Sequence, residues 1–133
     1  MRPAIAAPIV AVAEDDEAVQ HSISGLLQSA GYRYAAYGSA EAFLDVYPLL
    51  QPQPLCAVVD FRMTGVDLQR TLIEMRRPLP IIVVSAFEDR VRAEALEHGA
   101  IAVLGKPFDS EILLAVVKST LDPQVRNRAL GLR

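Results

Sequence analysis

Short apolar runs of four or five residues alternate along the chain with segments in which apolar residues recur every three or four positions. The runs lack a polar residue at every second position, which is typical of strands buried on both faces of a sheet. The longer segments have the period of an amphipathic helix. The pattern therefore predicts five strand–helix pairs, with strands at 9–13, 32–36, 55–59, 81–84 and 101–104.

Each predicted strand is followed by a helix with one apolar face. The apolar positions are Val19, Ile23, Leu26, Leu27 and Ala30; Ala42, Phe43 and Val46; Leu68, Leu72 and Met75; Val91, Ala95 and Leu96; and Ile112, Leu113, Val116, Val117 and Leu121. Right-handed crossovers place such helices on both faces of a parallel sheet. The sequence thus predicts an α/β fold with a doubly wound five-stranded parallel sheet and five helices.

Length and composition fit one compact domain. The chain has 133 residues, of which 52% are hydrophobic and 22% are charged. We expect a flexible N-terminus over residues 1–8, the folded domain over 9–121, and a C-terminal tail or linker over 122–133. The formal charge of -3 disfavours direct nucleic-acid binding by this domain.

The cysteine, histidine and proline residues argue against several other classes of protein. Cys56 is the single cysteine and lies in an apolar run, so we expect a core thiol without a disulfide, in a cytoplasmic protein. His21 and His98 do not suggest a histidine-rich metal centre. Pro3 and Pro8 interrupt the apolar start, which argues against a secretory signal, and no apolar run reaches the ~18–20 residues of a membrane span.

Charged and hydroxyl side chains that can bind ligands or take part in a reaction lie at the carboxyl ends of four predicted strands. They are Glu14 and Asp15 after the first, Asp60 after the third, Ser85 after the fourth, and Lys106 after the fifth. These ends share one rim of a doubly wound sheet, where ligands bind. Three carboxylates brought together need a cation, and oxygen ligands suit Mg²⁺. We expect a site that brings a phosphoryl group to a carboxylate, with the lysine neutralising it and the serine donating a hydroxyl.

The acidic triplet of Glu14, Asp15 and Asp16 has a second interpretation. Carboxylates are common where a helix begins, because they stabilise its dipole by ~0.3–1 kcal/mol. The positions of Asp60 and Lys106 at matching strand ends favour the metal site over this interpretation.

Five separated motifs resemble those of bacterial response-regulator receiver domains, over about residues 9–121. They are Val12-Ala13-Glu14-Asp15-Asp16, Val58-Val59-Asp60-Phe61-Arg62-Met63, Val83-Val84-Ser85-Ala86, Gly99-Ala100 and Lys106-Pro107-Phe108. The segment 37–44 is further similar to the FixJ/NarL-type branch, whose receivers control helix-turn-helix transcription factors. The resemblance implies a flavodoxin-like sheet in the strand order 2-1-3-4-5.

The same resemblance implies roles for the acidic residues. Asp60 is expected to be the phosphoacceptor. Glu14 and Asp15 are expected to hold Mg²⁺, together with Asp60 and the backbone carbonyl of Arg62.

Roles are implied for the remaining rim residues as well. Ser85 is expected to be the switch hydroxyl. Lys106 is expected to contact the phosphoryl group, and its peptide bond to Pro107 to be cis. The side chains of Arg62 and Phe87 stand where the family tunes access of water to the acyl phosphate.

The chain departs from the family pattern in two places. Thr64-Gly65 follows Met63 directly, so this loop is three residues shorter than usual. We expect the shortening to displace the carbonyl of Arg62 and weaken Mg²⁺ binding. Val103, three residues before Lys106, replaces the usual Tyr or Phe, so the aromatic rotamer switch is missing.

The implied function is that of a receiver that takes a phosphoryl group on Asp60 from a sensor histidine kinase in two-component signal transduction. Such a domain promotes its own phosphorylation and dephosphorylation and is not a turnover enzyme. The face made by the fourth helix, fifth strand and fifth helix is expected to bind an output domain or a second copy. No membrane contact is expected.

Two other functions stay open at this point. A degenerate receiver would keep the fold and act as a phosphorylation-independent interaction module, which the short loop after Met63 permits. A Mg²⁺-dependent hydrolase would use Asp60 as its nucleophile. The lack of an acid/base residue beside Asp60 argues against the hydrolase.

Overall fold

The computed structural model describes residues 7–60 and 78–131. The strands are β1 (Ile9–Ala13), β2 (Arg33–Tyr37), β3 (Cys56–Asp60), β4 (Ile81–Ser85) and β5 (Ala102–Gly105). The helices are α1 (Glu17–Ser29), α2 (Ala40–Val46), α3 (Glu88–Glu97), α4 (Ser110–Ser119) and α5 (Pro123–Ala129), with a 3-10 turn at Tyr47–Leu49. All strand pairs are parallel, in the order β2-β1-β3-β4-β5. The predicted fold class and strand order are confirmed.

Four of the five predicted helices lie in the described residues, as α1 to α4. The third predicted helix, with Leu68, Leu72 and Met75, lies outside them, so α3 and α4 are the fourth and fifth helices of the sequence prediction. Within the described part of the chain, no helix has the length and apolar character needed to span a membrane.

Both faces of β1, β3 and β4 are buried, which explains their continuous apolar sequences, whereas the edge strand β2 is largely exposed. One face packs against α2 and α3, and its buried residues include Ala11, Phe43, Tyr47, Val59, Val83, Ala95 and Val103. The other packs against α1 and α4, and its buried residues include Val12, Ile23, Leu27, Cys56, Val58, Leu113 and Val117. Successive residues of one strand alternate between these faces, as the period of a strand requires. Cys56 is a buried free thiol, as predicted.

The C-terminal helix α5 occupies the segment for which the sequence predicted a tail or linker. Asp122 caps it, its Oδ1 accepting a hydrogen bond from the Gln124 amide at 2.8 Å, and Pro123 takes the first helical turn. Nη1 of Arg126 donates to the carbonyl of Leu55 at 2.7 Å. This bond ties α5 to the amino end of β3, opposite the rim that carries the predicted site residues.

Candidate functional site

The parallel strands deliver the predicted residues to one rim. Asp60 and Ser85 are the last paired residues of β3 and β4, opposite Val84 and Gly105. Glu14 follows β1, and its amide donates to the carbonyl of Tyr37 at 3.0 Å. The sheet therefore fixes these positions through its backbone pairing, before any side chain interacts.

Glu14, Asp15 and Asp60 form an acidic cluster in which one oxygen from each carboxylate lies within 4.8 Å of the others. Glu14 and Asp60 are 1% and 3% exposed, whereas Asp15 is on the surface. Oε2 of Glu14 is buried and has no hydrogen-bond partner among the described residues. An unpaired buried carboxylate oxygen is costly, so this donor set fits a hard cation such as Mg²⁺.

Lys106 connects the two buried carboxylates. Its Nζ lies 2.7 Å from Oε1 of Glu14 and 3.2 Å from Oδ2 of Asp60. Burial raises the pKa of Glu14 to about 7; the hydrogen bond from Lys106 opposes this shift and the charge of Asp60 adds to it. Burial alone would lower the pKa of Lys106, but its bond to Glu14 and both carboxylate charges raise it overall. The lysine therefore stays charged.

Ser85 and the Lys106–Pro107 peptide bond are the other two predicted features of this rim, at the ends of β4 and β5. The hydroxyl Oγ of Ser85, which is buried, accepts a hydrogen bond from the Phe87 amide at 2.9 Å. The Lys106 amide donates to the Ser85 carbonyl at 2.8 Å, and the Lys106–Pro107 peptide bond is cis, as the resemblance implied. Phe87 is 51% exposed, with the guanidinium of Arg90 5.6 Å from its ring centre.

Different residues of the acidic triplet fit the two roles that the sequence suggested, helix capping and metal binding. Asp16 is the N-cap of α1, its Oδ1 accepting from the amides of Ala18 and Val19 at 2.9 and 3.2 Å. Glu14 and Asp15 are left to the cluster. A capping function and a metal site are therefore compatible at adjacent positions.

Sequence reasoning missed Gln20, one turn into α1. Its Nε2 donates to the carbonyls of Glu14 and Tyr37 at 3.0 and 3.1 Å, which fixes the loop that carries the acidic pair. Its position one turn after the Asp16 cap was the only available signal, because side chains at that spacing lie back over the helix start.

Several sequence predictions fall outside the described residues. They are the carbonyl and side chain of Arg62, and the short loop of Thr64-Gly65 after Met63. The predicted weakening of Mg²⁺ binding by this loop remains a prediction.

Comparisons with known proteins identify a family. The family profile described as response regulator receiver domain matches residues 10–118. The transcriptional regulatory protein FixJ of Bradyrhizobium diazoefficiens is 33% identical over 127 residues, covering 90% of this chain and 61% of that protein. The response regulator protein TmoT of Ectopseudomonas mendocina is 35% identical over 127 residues, covering 91% of this chain and 57% of that protein. The chain thus spans about three fifths of the length of these curated relatives.

The fold is also similar to solved structures. The crystal structure of FixJ-N superposes with a TM-score of 0.75 at 27% sequence identity, covering 93% of this chain and 94% of that one. Full-length FixJ from B. japonicum superposes with a TM-score of 0.79 at 31% identity, covering 90% of this chain and 62% of that one.

Proposed function

The chain belongs to the response regulator receiver domain family, and we propose that it accepts a phosphoryl group on Asp60 from a phosphohistidine of a sensor histidine kinase. Receiver domains are signalling domains of two-component systems, and a phosphorylation-independent function is not favoured. The observation that carries the proposal is the buried Glu14–Asp60 pair bridged by Lys106. A domain used only for binding has no need of buried carboxylates whose burial is costly.

In the proposed reaction, a carboxylate oxygen of Asp60 attacks phosphorus while the bond from phosphorus to the donor imidazole nitrogen breaks. The imidazole keeps the electron pair of that bond, and an acyl phosphate forms on Asp60. Lys106, already 3.2 Å from Oδ2 of Asp60, is placed to neutralise the oxygens of the incoming phosphoryl group. Ser85 would turn its hydroxyl from the Phe87 amide to one of those oxygens.

Receiver domains of this family hold Mg²⁺ in an acidic pocket. We assign that site here to Glu14, Asp15, Asp60 and the backbone carbonyl of Arg62. Mg²⁺, when bound, supplies positive charge beside the phosphoryl oxygens. The orphaned Oε2 of Glu14 supports this assignment, because a cation would satisfy it.

The test is incubation with acetyl phosphate and Mg²⁺, read by intact mass. We expect one phosphoryl group on the wild-type chain and none on D60N, whose amide is nearly isosteric but cannot form an acyl phosphate. The matched control is D45N, which changes an exposed aspartate of α2 and should retain uptake. Uptake by D60N, or no uptake by the wild type with Mg²⁺ present, would overturn the proposal.

The partner-binding face proposed for the phosphorylated state is made by α3, β5 and α4. It carries exposed apolar side chains, namely Phe87, Leu96 and Ile112. An output domain or a second copy of the chain would cover them, and no direct nucleic-acid binding is assigned to this domain. Amide exchange and sedimentation of the phosphorylated protein should change over residues 91–121; unchanged exchange and mass would refute this face.

A further inference from the structure

A guanidinium connects α3 to β5 at the position where the family's aromatic switch residue is absent. Nη2 of Arg92 donates to the carbonyl of Val103 at 3.0 Å and also pairs with the carboxylate of Glu88 on the same helix. Val103 itself is 2% exposed and has no ring to move. The polar connection between α3 and β5 is therefore made by a side chain of the helix and a backbone carbonyl of the strand.

Glu88 makes a second contact with β5, across Gly105. A Cβ added at Gly105 would lie 2.6 Å from Oε1 of Glu88 and 3.4 Å from its Cβ. Glycine thus leaves the space that the carboxylate side chain occupies. Gly105 directly precedes Lys106 and pairs with Ser85, so Glu88 packs at the junction of two proposed site residues.

The start of α3 also depends on Ser85. Phe87 is the N-cap residue of α3 and offers no side-chain cap, but its amide donates to Oγ of Ser85 at 2.9 Å. If Ser85 turns towards a phosphoryl group on Asp60, the turn at Phe87 must follow or release that oxygen. In either case the hydrogen bond that supports the first turn of α3, which carries Glu88, is shifted or lost.

On the basis of the proposed function, we propose that Glu88 and Arg92 position α3 so as to restrain phosphoryl transfer to Asp60. They hold α3 against β5 in the unphosphorylated protein and release it when Ser85 turns. Because the contact is present only in the held state, breaking it raises the population of the released state, and the rate of phosphorylation rises with that population when the released state is the one that reacts.

The expected effect is small, since both side chains are partly exposed, at 47% for Arg92 and 36% for Glu88. Exposed pairs contribute little, which corresponds here to about a two- to fivefold change in an equilibrium or a rate. A phosphoryl group on Asp60 that interacts only modestly better with the released state than with the held state is enough to break a contact of this strength.

The experiment compares three variants with two matched controls. R92A removes the bond to Val103, E88Q removes the charge pair, and G105A displaces the carboxylate while keeping both charges. R128A on α5 and E94Q on α3 change exposed charges outside the contact.

Two measurements are made on each protein. One is amide exchange over residues 87–92 without phosphodonor. The other is the initial rate of phosphorylation by acetyl phosphate at saturating Mg²⁺. R92A and G105A should show faster exchange and a rate about two- to fivefold higher than wild type, with E88Q intermediate. R92K, which keeps a charged donor, should recover most of the wild-type behaviour.

The outcomes separate this inference from the proposed function. If the wild type is phosphorylated on Asp60 but R92A and G105A match R128A in both measurements, the positioning role is wrong and the proposed function stands. A slower rate in R92A with faster exchange would also overturn the role, since Arg92 would then assist transfer directly. If the wild type takes up no phosphoryl group, the proposed function fails, and the role in transfer fails with it.

Discussion

The acidic cluster and the α3–β5 contact lie on the same rim but are stabilised in opposite ways. Glu14 and Asp60 are 1% and 3% exposed and share one lysine. Glu88 and Arg92 are 36% and 47% exposed. Water screens the second pair more strongly than the first. The reacting groups are therefore held firmly, whereas the helix that responds to phosphorylation is held by contacts that little energy can break.

The largest effect is expected from removing the shared lysine. K106A should destabilise the metal-free protein by about 2–4 kcal/mol at pH 8, because two buried carboxylates lose their cation. Urea unfolding measures this loss. The matched control K118A, at an exposed lysine of α4, should stay within about 0.5 kcal/mol of wild type. Equal losses of unfolding free energy in K106A and K118A would show that the buried carboxylates do not depend on Lys106 for stability.

The second prediction concerns pH. The pKa of Glu14 is raised from 4.5 to about 7, so the folded protein holds this proton more tightly than the unfolded chain does. Its contribution to stability is therefore fully present below pH 4.5 and is lost as pH rises from 4.5 through 7, by an amount on the order of 3 kcal/mol. Unfolding of metal-free E14Q should lack this fall, and E94Q should retain it. A fall of the same size in E14Q would assign the dependence to another group.

The third prediction concerns the exposed member of the cluster. D15N should weaken Mg²⁺ binding at pH 8 by about tenfold, equivalent to about 1.4 kcal/mol, because one carboxylate ligand is lost. Isothermal titration of Mg²⁺ measures the affinity, and D45N serves as the control for loss of one negative charge. Equal weakening in D15N and D45N would attribute the effect to net charge alone, and Asp15 would not be a ligand.

The smallest effect is expected at the α3–β5 contact. R92A should lower the free energy of unfolding by about 1 kcal/mol or less, since an exposed pair four residues apart contributes little. Urea unfolding against R128A measures this difference. A loss as large as that of K106A would remove the distinction between the firmly held and the weakly held region.

The residue pattern predicted the sheet and the rim that carries the site. The family resemblance predicted the strand order. This succeeded because backbone pairing in a parallel sheet determines which strand ends meet, whatever the side chains do. Asp60 and Ser85 end adjacent strands, and Lys106 follows the next one.

The contacts made by long polar side chains were not predictable in the same way. Gln20 bridges two carbonyls and Arg92 reaches a strand carbonyl, but neither has a sequence signature that separates it from a solvated surface residue. The sequence predicts a tail or linker over residues 122–133, and the short helix α5 lies within that segment, capped by Asp122 and bonded to β3 through Arg126.

The most direct test of the account is to locate the phosphoryl group. Wild-type protein is phosphorylated with acetyl phosphate and Mg²⁺, the acyl phosphate is reduced with borohydride, and the modified residue is identified by peptide mass spectrometry. We expect conversion of Asp60 alone to homoserine, dependent on Mg²⁺ and strongly reduced in K106A. Modification at Glu14 or Asp15, or none at Asp60, would contradict it.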